Sequence, residues 1–159
     1  MTASSQPDVT TPANLLRILL VEDNEAHTKL ILRAFKEDRL ANPINCVADG
    51  EAALDFLFRR GAYADPKTSP RPGLILLDLK LPKVDGLEVL KQIKGDATLR
   101  HIPVVILTSS AAEQDLRACY DNYANSFLSK PVDFEKFHKI VQELDFYWSV
   151  CNRPPANIA

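Results

Sequence analysis

The stretch Leu74-Ile75-Leu76-Leu77-Asp78-Leu79-Lys80-Leu81-Pro82 decides the fold. Four apolar residues in a row, with Gly73 before them and Pro82 after, read as a strand buried on both faces. A sheet covered on both sides by helices favours parallel strands with near-continuous apolar runs. The carboxylate of Asp78 then ends a buried strand, where it costs free energy unless something pairs with it. Three other apolar runs end in the same manner. Ile18-Leu19-Leu20-Val21 runs into Glu22 and Asp23, Val104-Val105-Ile106-Leu107 into Thr108, and Phe127-Leu128 into Ser129 and Lys130. Acids, a hydroxyl and an amine are thereby gathered at one sheet edge.

Outward from this strand the pattern alternates strands and helices. Strands are expected at 17–22, 44–48, 74–78, 104–108 and 126–129. Helices are expected at 24–38, 51–60, 86–94 and 112–123, with a last one from the Asp133 cap to about Trp148. In the first helix Ala26, Leu30, Ala34 and Phe35 share a face; in the second, Ala53, Phe56 and Leu57 point inward. Asp85 and Glu88 suggest a capping box for the third. Residues 61–73 hold three prolines and two glycines and read as a long loop. Five strands alternating with five helices imply right-handed crossovers and a doubly wound parallel sheet of the α/β class. In such sheets ligands bind beyond the carboxyl ends of the strands, where the polar residues fall.

Composition fits one domain: 159 residues, 46% hydrophobic and 25% charged. The boundaries expected are a disordered leader over 1–14, the domain over 15–148 and a tail over 149–159. The net charge of -2 offers no basis for nucleic-acid binding. No apolar run is long enough to span a bilayer, and the polar start lacks a secretory signal. Cys46, Cys119 and Cys151 have neither metal nor disulfide spacing, read as small buried or half-buried apolar residues, and suit a reducing cytoplasm.

Glu22, Asp23 and Asp78 repel one another at one edge, and a divalent cation removes that conflict. Carboxylates, a backbone carbonyl and water suit Mg2+ or Mn2+, and without His or Cys in these segments zinc is not expected. An Asp beside such an ion can attack phosphorus and form an aspartyl phosphate. Lys130 can pair with the phosphoryl group and Thr108 can donate a hydrogen bond to it. Taken singly, each has a plainer reading. Glu22 and Asp23 would cap the first helix, Thr108 would bond back to its own chain, and Lys130 would be a solvated charge. Joint spacing favours the functional one: Asp78 lies 55 residues after Asp23, Thr108 another 30 on, and Lys130-Pro131 22 beyond that.

With these segments the chain resembles the receiver domain of two-component response regulators. The matching stretches are Leu-Val-Glu-Asp-Asn at 20–24, Leu-Leu-Asp-Leu-Lys-Leu-Pro-Lys-Val-Asp-Gly at 76–86, Val-Val-Ile-Leu-Thr-Ser at 104–109 and Phe-Leu-Ser-Lys-Pro at 127–131. The resemblance covers about 16–148. It implies a flavodoxin-like (βα)5 fold with a five-stranded parallel sheet in the order 2-1-3-4-5. It implies Asp78 as phosphoacceptor, Asp23 as metal carboxylate, Glu22 as its acidic neighbour acting through water, and the Lys80 backbone carbonyl as a metal ligand. Thr108 and Phe127 would be the switch pair, Lys130 the phosphoryl partner before a cis peptide to Pro131, and the side chains of Lys80 and Ser110, beside Ser109, would tune dephosphorylation. Leu-Thr-Ser-Ser at 107–110, Asp-Leu-Arg-Ala-Cys-Tyr at 115–120, Ala-Asn-Ser-Phe at 124–127 and Phe-Tyr-Trp at 146–148 resemble the small regulators paired with bacterial phytochromes. The loop at 61–73 fits that subgroup.

The expected function is a stand-alone, cytoplasmic signalling module phosphorylated on Asp78 by a sensor histidine kinase of phytochrome type. Only a short tail follows the domain, so output is expected through protein contacts. A hybrid kinase or phosphorelay is the alternative donor. An enzyme of the Asp-nucleophile phosphohydrolase type would carry a second acid where Lys80 stands, so only slow self-dephosphorylation is expected. A non-phosphorylated docking domain would not need the acid pocket, and a flavin site would need glycines where Glu22 and Asp23 lie. His27, His101 and His138 read as structural or surface residues. Phe137, Ile140, Val141, Leu144 and Trp148 form the inward stripe of the last helix. Phe146 and Val150 fall opposite and suggest a homodimer through that helix.

Overall fold

The computed structural model describes residues 15–37, 39–108, 117–118, 121, 124, 126–129 and 133–151. Five strands, β1 (Ile18–Val21), β2 (Ile44–Val47), β3 (Leu74–Asp78), β4 (Val104–Thr108) and β5 (Ser126–Ser129), form one sheet in the order β2-β1-β3-β4-β5. Every pairing is parallel. The helices are α1 (Glu25–Glu37), α2 (Gly50–Phe58), α3 (Gly86–Gly95) and a C-terminal helix, Phe134–Cys151. Of the helix expected at 112–123, only Arg117, Ala118 and Asp121 are described, all helical. The leader, Ser109, Ser110, the Lys130-Pro131 pair and residues 152–159 lie outside the described residues.

Side-chain alternation along the strands builds two cores. Leu19, Val21, Ile75, Leu77, Val104 and Ile106 face α2 and α3. Ile18, Leu20, Leu74, Leu76, Val105, Leu107 and Leu128 face α1 and the C-terminal helix. Across the second core the rings of Phe35 and Phe137 meet edge to face at 5.1 Å, the arrangement the aromatic quadrupole prefers.

Several local expectations need correcting. In α1 the buried residues are Ile31 and Phe35, whereas Leu30 is 55% exposed and Ala26 is exposed. Residues 31 and 35 are one turn apart and share a stripe on the sheet, which turns positions 26 and 30 toward solvent. At α3 only half of the capping box forms. Asp85 accepts from the Glu88 amide at 3.1 Å, but the Glu88 carboxylate accepts from Gln92 Nε2 at 3.1 Å. Cys46 is exposed, because it lies on the edge strand β2. The C-terminal helix runs on to Cys151, since no helix breaker occurs before Pro154. The long loop after α2 contains a 3-10 turn at Gly61–Tyr63 and the buried Ser69.

Candidate functional site at the carboxyl edge of the sheet

Strand register builds the site. Val21 pairs with Leu77, which sets Glu22 beside Asp78. Asp78 pairs with Leu107, so Thr108 stands one residue further along the next strand. Thr108 pairs with Ser129, after which Lys130 follows in sequence. The backbone thus brings Glu22, Asp23, Asp78 and Thr108 to one edge; the side chain of Thr108 and all of Lys130 lie outside the description.

Carboxylate oxygens of Glu22, Asp23 and Asp78 lie within 4.8 Å of one another. Glu22 is 3% and Asp78 6% exposed, while Asp23 is exposed. Two buried acids and one open acid form a hard, oxygen-only donor set suited to Mg2+ or Mn2+. Helix capping does not account for the pair at the end of β1. Asn24 caps α1, its Oδ1 accepting from the His27 amide at 3.1 Å and its carbonyl from the Thr28 amide at 3.0 Å. Glu22 Oε2 accepts from the Asn24 amide at 3.1 Å, and its Oε1 lies 3.7 Å from His27 Nδ1. His27 is therefore a neighbour of the site that reading the sequence missed. Its approach depends on the phase at which Asn24 starts the helix.

Asp78 Oδ1 accepts from the Lys80 amide at 3.1 Å. This short turn begins a loop, Leu79–Asp85, that walls a cavity of about 590 Å3 together with Asp23 and Leu87. Gly86 closes the loop: its amide donates to the Leu79 carbonyl at 2.8 Å, and a Cβ there would stand 2.2 Å from the Asp78 carbonyl oxygen. Phe127, on β5, is half-buried against the α2 and α3 core.

The profile of the response regulator receiver domain matches residues 18–142. The chain belongs to the response regulator receiver family. Among relatives of this receiver is the "Probable methanogenesis regulatory protein FilR2" of Methanothrix harundinacea, 50% identical over 138 residues, 87% of this chain and 86% of that protein. The bacteriophytochrome response regulator AtBRR has 50% identity and a TM-score of 0.73 over 84% of this chain and 95% of its own. The Mn2+-bound form of response regulator Rcp1, a protein of Synechocystis, has 41% identity and a TM-score of 0.71 over 89% and 99%. The receiver identity makes this a phosphoacceptor signalling domain that takes a divalent cation at its acid cluster and partners with histidine kinases. No described helix is long and apolar enough to cross a membrane.

Proposed function

We propose that Asp78 accepts a phosphoryl group from a phosphohistidine of a phytochrome-type sensor kinase in the cytoplasm. The supporting observation is its burial at the end of β3 within 4.8 Å of two further carboxylates. In the transfer an Asp78 oxygen forms a bond to phosphorus as the phosphorus–nitrogen bond breaks. The kinase imidazole leaves with the electron pair as a neutral ring, its other nitrogen keeping the proton it carries. Asp23, Asp78 and the Lys80 backbone carbonyl would hold Mg2+, with Glu22 acting through water; the ion offsets charge on the phosphoryl oxygens. Lys130 pairs with the transferred group, Thr108 donates to it, and Phe127 repacks as Thr108 moves. The side chains of Lys80 and Ser110 set the rate of a slow self-dephosphorylation. Output runs through protein contact, with neither nucleic acid nor membrane as partner, and the exposed Phe146 supports a homodimer through the C-terminal helix.

Phosphotransfer from such a kinase, read by intact mass, tests this: wild type gains one phosphoryl group with Mg2+ and Asp78→Asn gains none. Labelling of Asp78→Asn to the wild-type level would refute the assignment. The similarity to AtBRR, a bacteriophytochrome response regulator, supports the phytochrome partner. FilR2, equally identical over its match and named for the regulation of methanogenesis, supports the second reading, a donor that is not of phytochrome type. Transfer that is equally fast from a phytochrome kinase and an unrelated one would select that second reading.

A further inference from the structure

Gly50, the first residue of α2, lies against the loop that follows Asp78. Its amide donates to the Pro82 carbonyl at 3.3 Å. A Cβ at this position would stand 1.8 Å from the Val84 carbonyl oxygen and 2.7 Å from its carbon. Backbone atoms cannot swing aside as a side-chain end can, so any larger residue must push the loop or the helix away. The loop is tied to the same helix end once more. Asp49, whose Oδ1 caps α2 by accepting from the Ala52 amide at 2.7 Å, lies 3.7 Å from Lys83 Nζ. Lys83 takes a φ of 69°, a left-handed conformation that surrounding structure must hold in place for a residue with a Cβ. At its other end the loop is closed by the Gly86 amide on the Leu79 carbonyl. Between these anchors lies Lys80, whose amide reaches Asp78 Oδ1.

We propose that Gly50 is a positioning residue for the divalent-cation site, because the amino end of α2 sets where the loop presents the Lys80 carbonyl beside Asp78 and Asp23. This rests on the proposed ligand role of that carbonyl. Gly50 touches neither ion nor phosphoryl group; it acts through Pro82 and Val84. Mg2+ demands near-ideal octahedral geometry, whereas Ca2+ tolerates irregular coordination. Displacing one carbonyl therefore weakens Mg2+ more than Ca2+, a discrimination that general destabilisation would not create.

Calorimetric titration of the full chain with each ion tests this, alongside circular dichroism in EDTA. Gly50→Ala is expected to lose Mg2+ affinity by about tenfold or more, as for other residues that orient metal ligands, and Ca2+ affinity by less. Gly95→Ala is the control, since nothing lies within 4 Å of its added Cβ, and binds both ions as wild type does. A folded Gly50→Ala that binds both ions like wild type, or loses both equally, overturns the proposal. Should Gly50→Ala not fold, amide exchange in the wild type decides. By reciprocity of coupling, Mg2+ must slow exchange of the Gly50 amide, and an unchanged rate overturns the proposal. Undiminished Mg2+ affinity in Asp23→Asn would instead remove the metal site itself, and this inference with it.

Discussion

Asp23 is the exposed member of a cluster whose other two carboxylates, on Glu22 and Asp78, are buried. Without a cation the three like charges oppose one another, so replacing the open one relieves the fold and removes a metal donor together. Asp23→Asn should therefore melt a few degrees higher than wild type in EDTA. In Mg2+ at a hundred times its dissociation constant, wild type gains about 2.7 kcal/mol and the variant far less, so the order of stability reverses. Thermal melts with and without Mg2+ check this, and curves that keep one order in both buffers contradict it. Lys94 gives a second residue-scale outcome. Its Nζ donates to the carbonyls of Arg100 at 3.1 Å and Ile102 at 2.8 Å, and burial pushes its pKa from 10.5 down to about 8. Between those values the unfolded chain binds the proton and the folded one does not, so this group adds stability as pH rises through the window. Urea midpoints should show wild type gaining on Lys94→Met from about pH 7.5 to 10, by about 1 kcal/mol after allowing for residual solvent screening. No gain would mean that the amine titrates as in water. Of the acid edge, Glu22, Asp23 and Asp78 were legible because each directly follows or ends an apolar strand. His27 and Gly50 were not, since their contacts join segments by close approach through space, which no periodicity records.

At the scale of elements, the C-terminal helix is held by more than its apolar stripe. Asp145 Oδ1 accepts from the Leu16 amide at 3.1 Å and from Asn42 Nδ2 at 2.8 Å, and Asn42 Nδ2 also donates to the Leu16 carbonyl at 3.0 Å. The clip ties this helix to the start of β1 and to the approach to β2. Burial raises the Asp145 pKa, while the Leu16 and Asn42 donors act against that rise. Asp145→Ala leaves the Leu16 amide without its acceptor and the Asn42 carboxamide with only the Leu16 carbonyl, and should cost about 2 kcal/mol by urea titration. Asp145→Asn keeps an acceptor, removes the partly buried charge and should cost clearly less. Equal losses in the two variants would show that charge, not acceptance, matters there. No sequence pattern announced this clip, because its partners are 26 to 129 residues apart. Strands β3, β4 and β5 were legible to the residue, being apolar runs bounded by glycine, proline or polar residues. The inward face of α1 was not. Leu30 and Ile31 are both apolar, and only the pitch of the helix on the sheet chooses between them.

For the whole molecule, five alternating strand and helix signals led to a parallel doubly wound sheet, but the order 2-1-3-4-5 came from the family resemblance and not from any spacing. What remains is the outer surface, where the C-terminal helix presents Phe146 at 63% exposure on the side away from the buried Phe137, Ile140, Val141 and Leu144. A twofold interface brings the same patch of each copy together, so Phe146 enters such an interface twice. Burying one phenyl ring stabilises by about 1.5–3 kcal/mol, so Phe146→Ser should weaken the proposed dimer by about 3–6 kcal/mol, or a hundredfold and more. Sedimentation velocity at tens of micromolar checks this. Wild type is expected to sediment as a dimer and Phe146→Ser as a folded monomer that melts lower, because association stabilises the native state by mass action. Repeating the run with beryllofluoride and Mg2+ then asks whether phosphorylation shifts the equilibrium. A wild-type monomer under both conditions would end the dimer proposal, leaving the acid edge and its chemistry untouched.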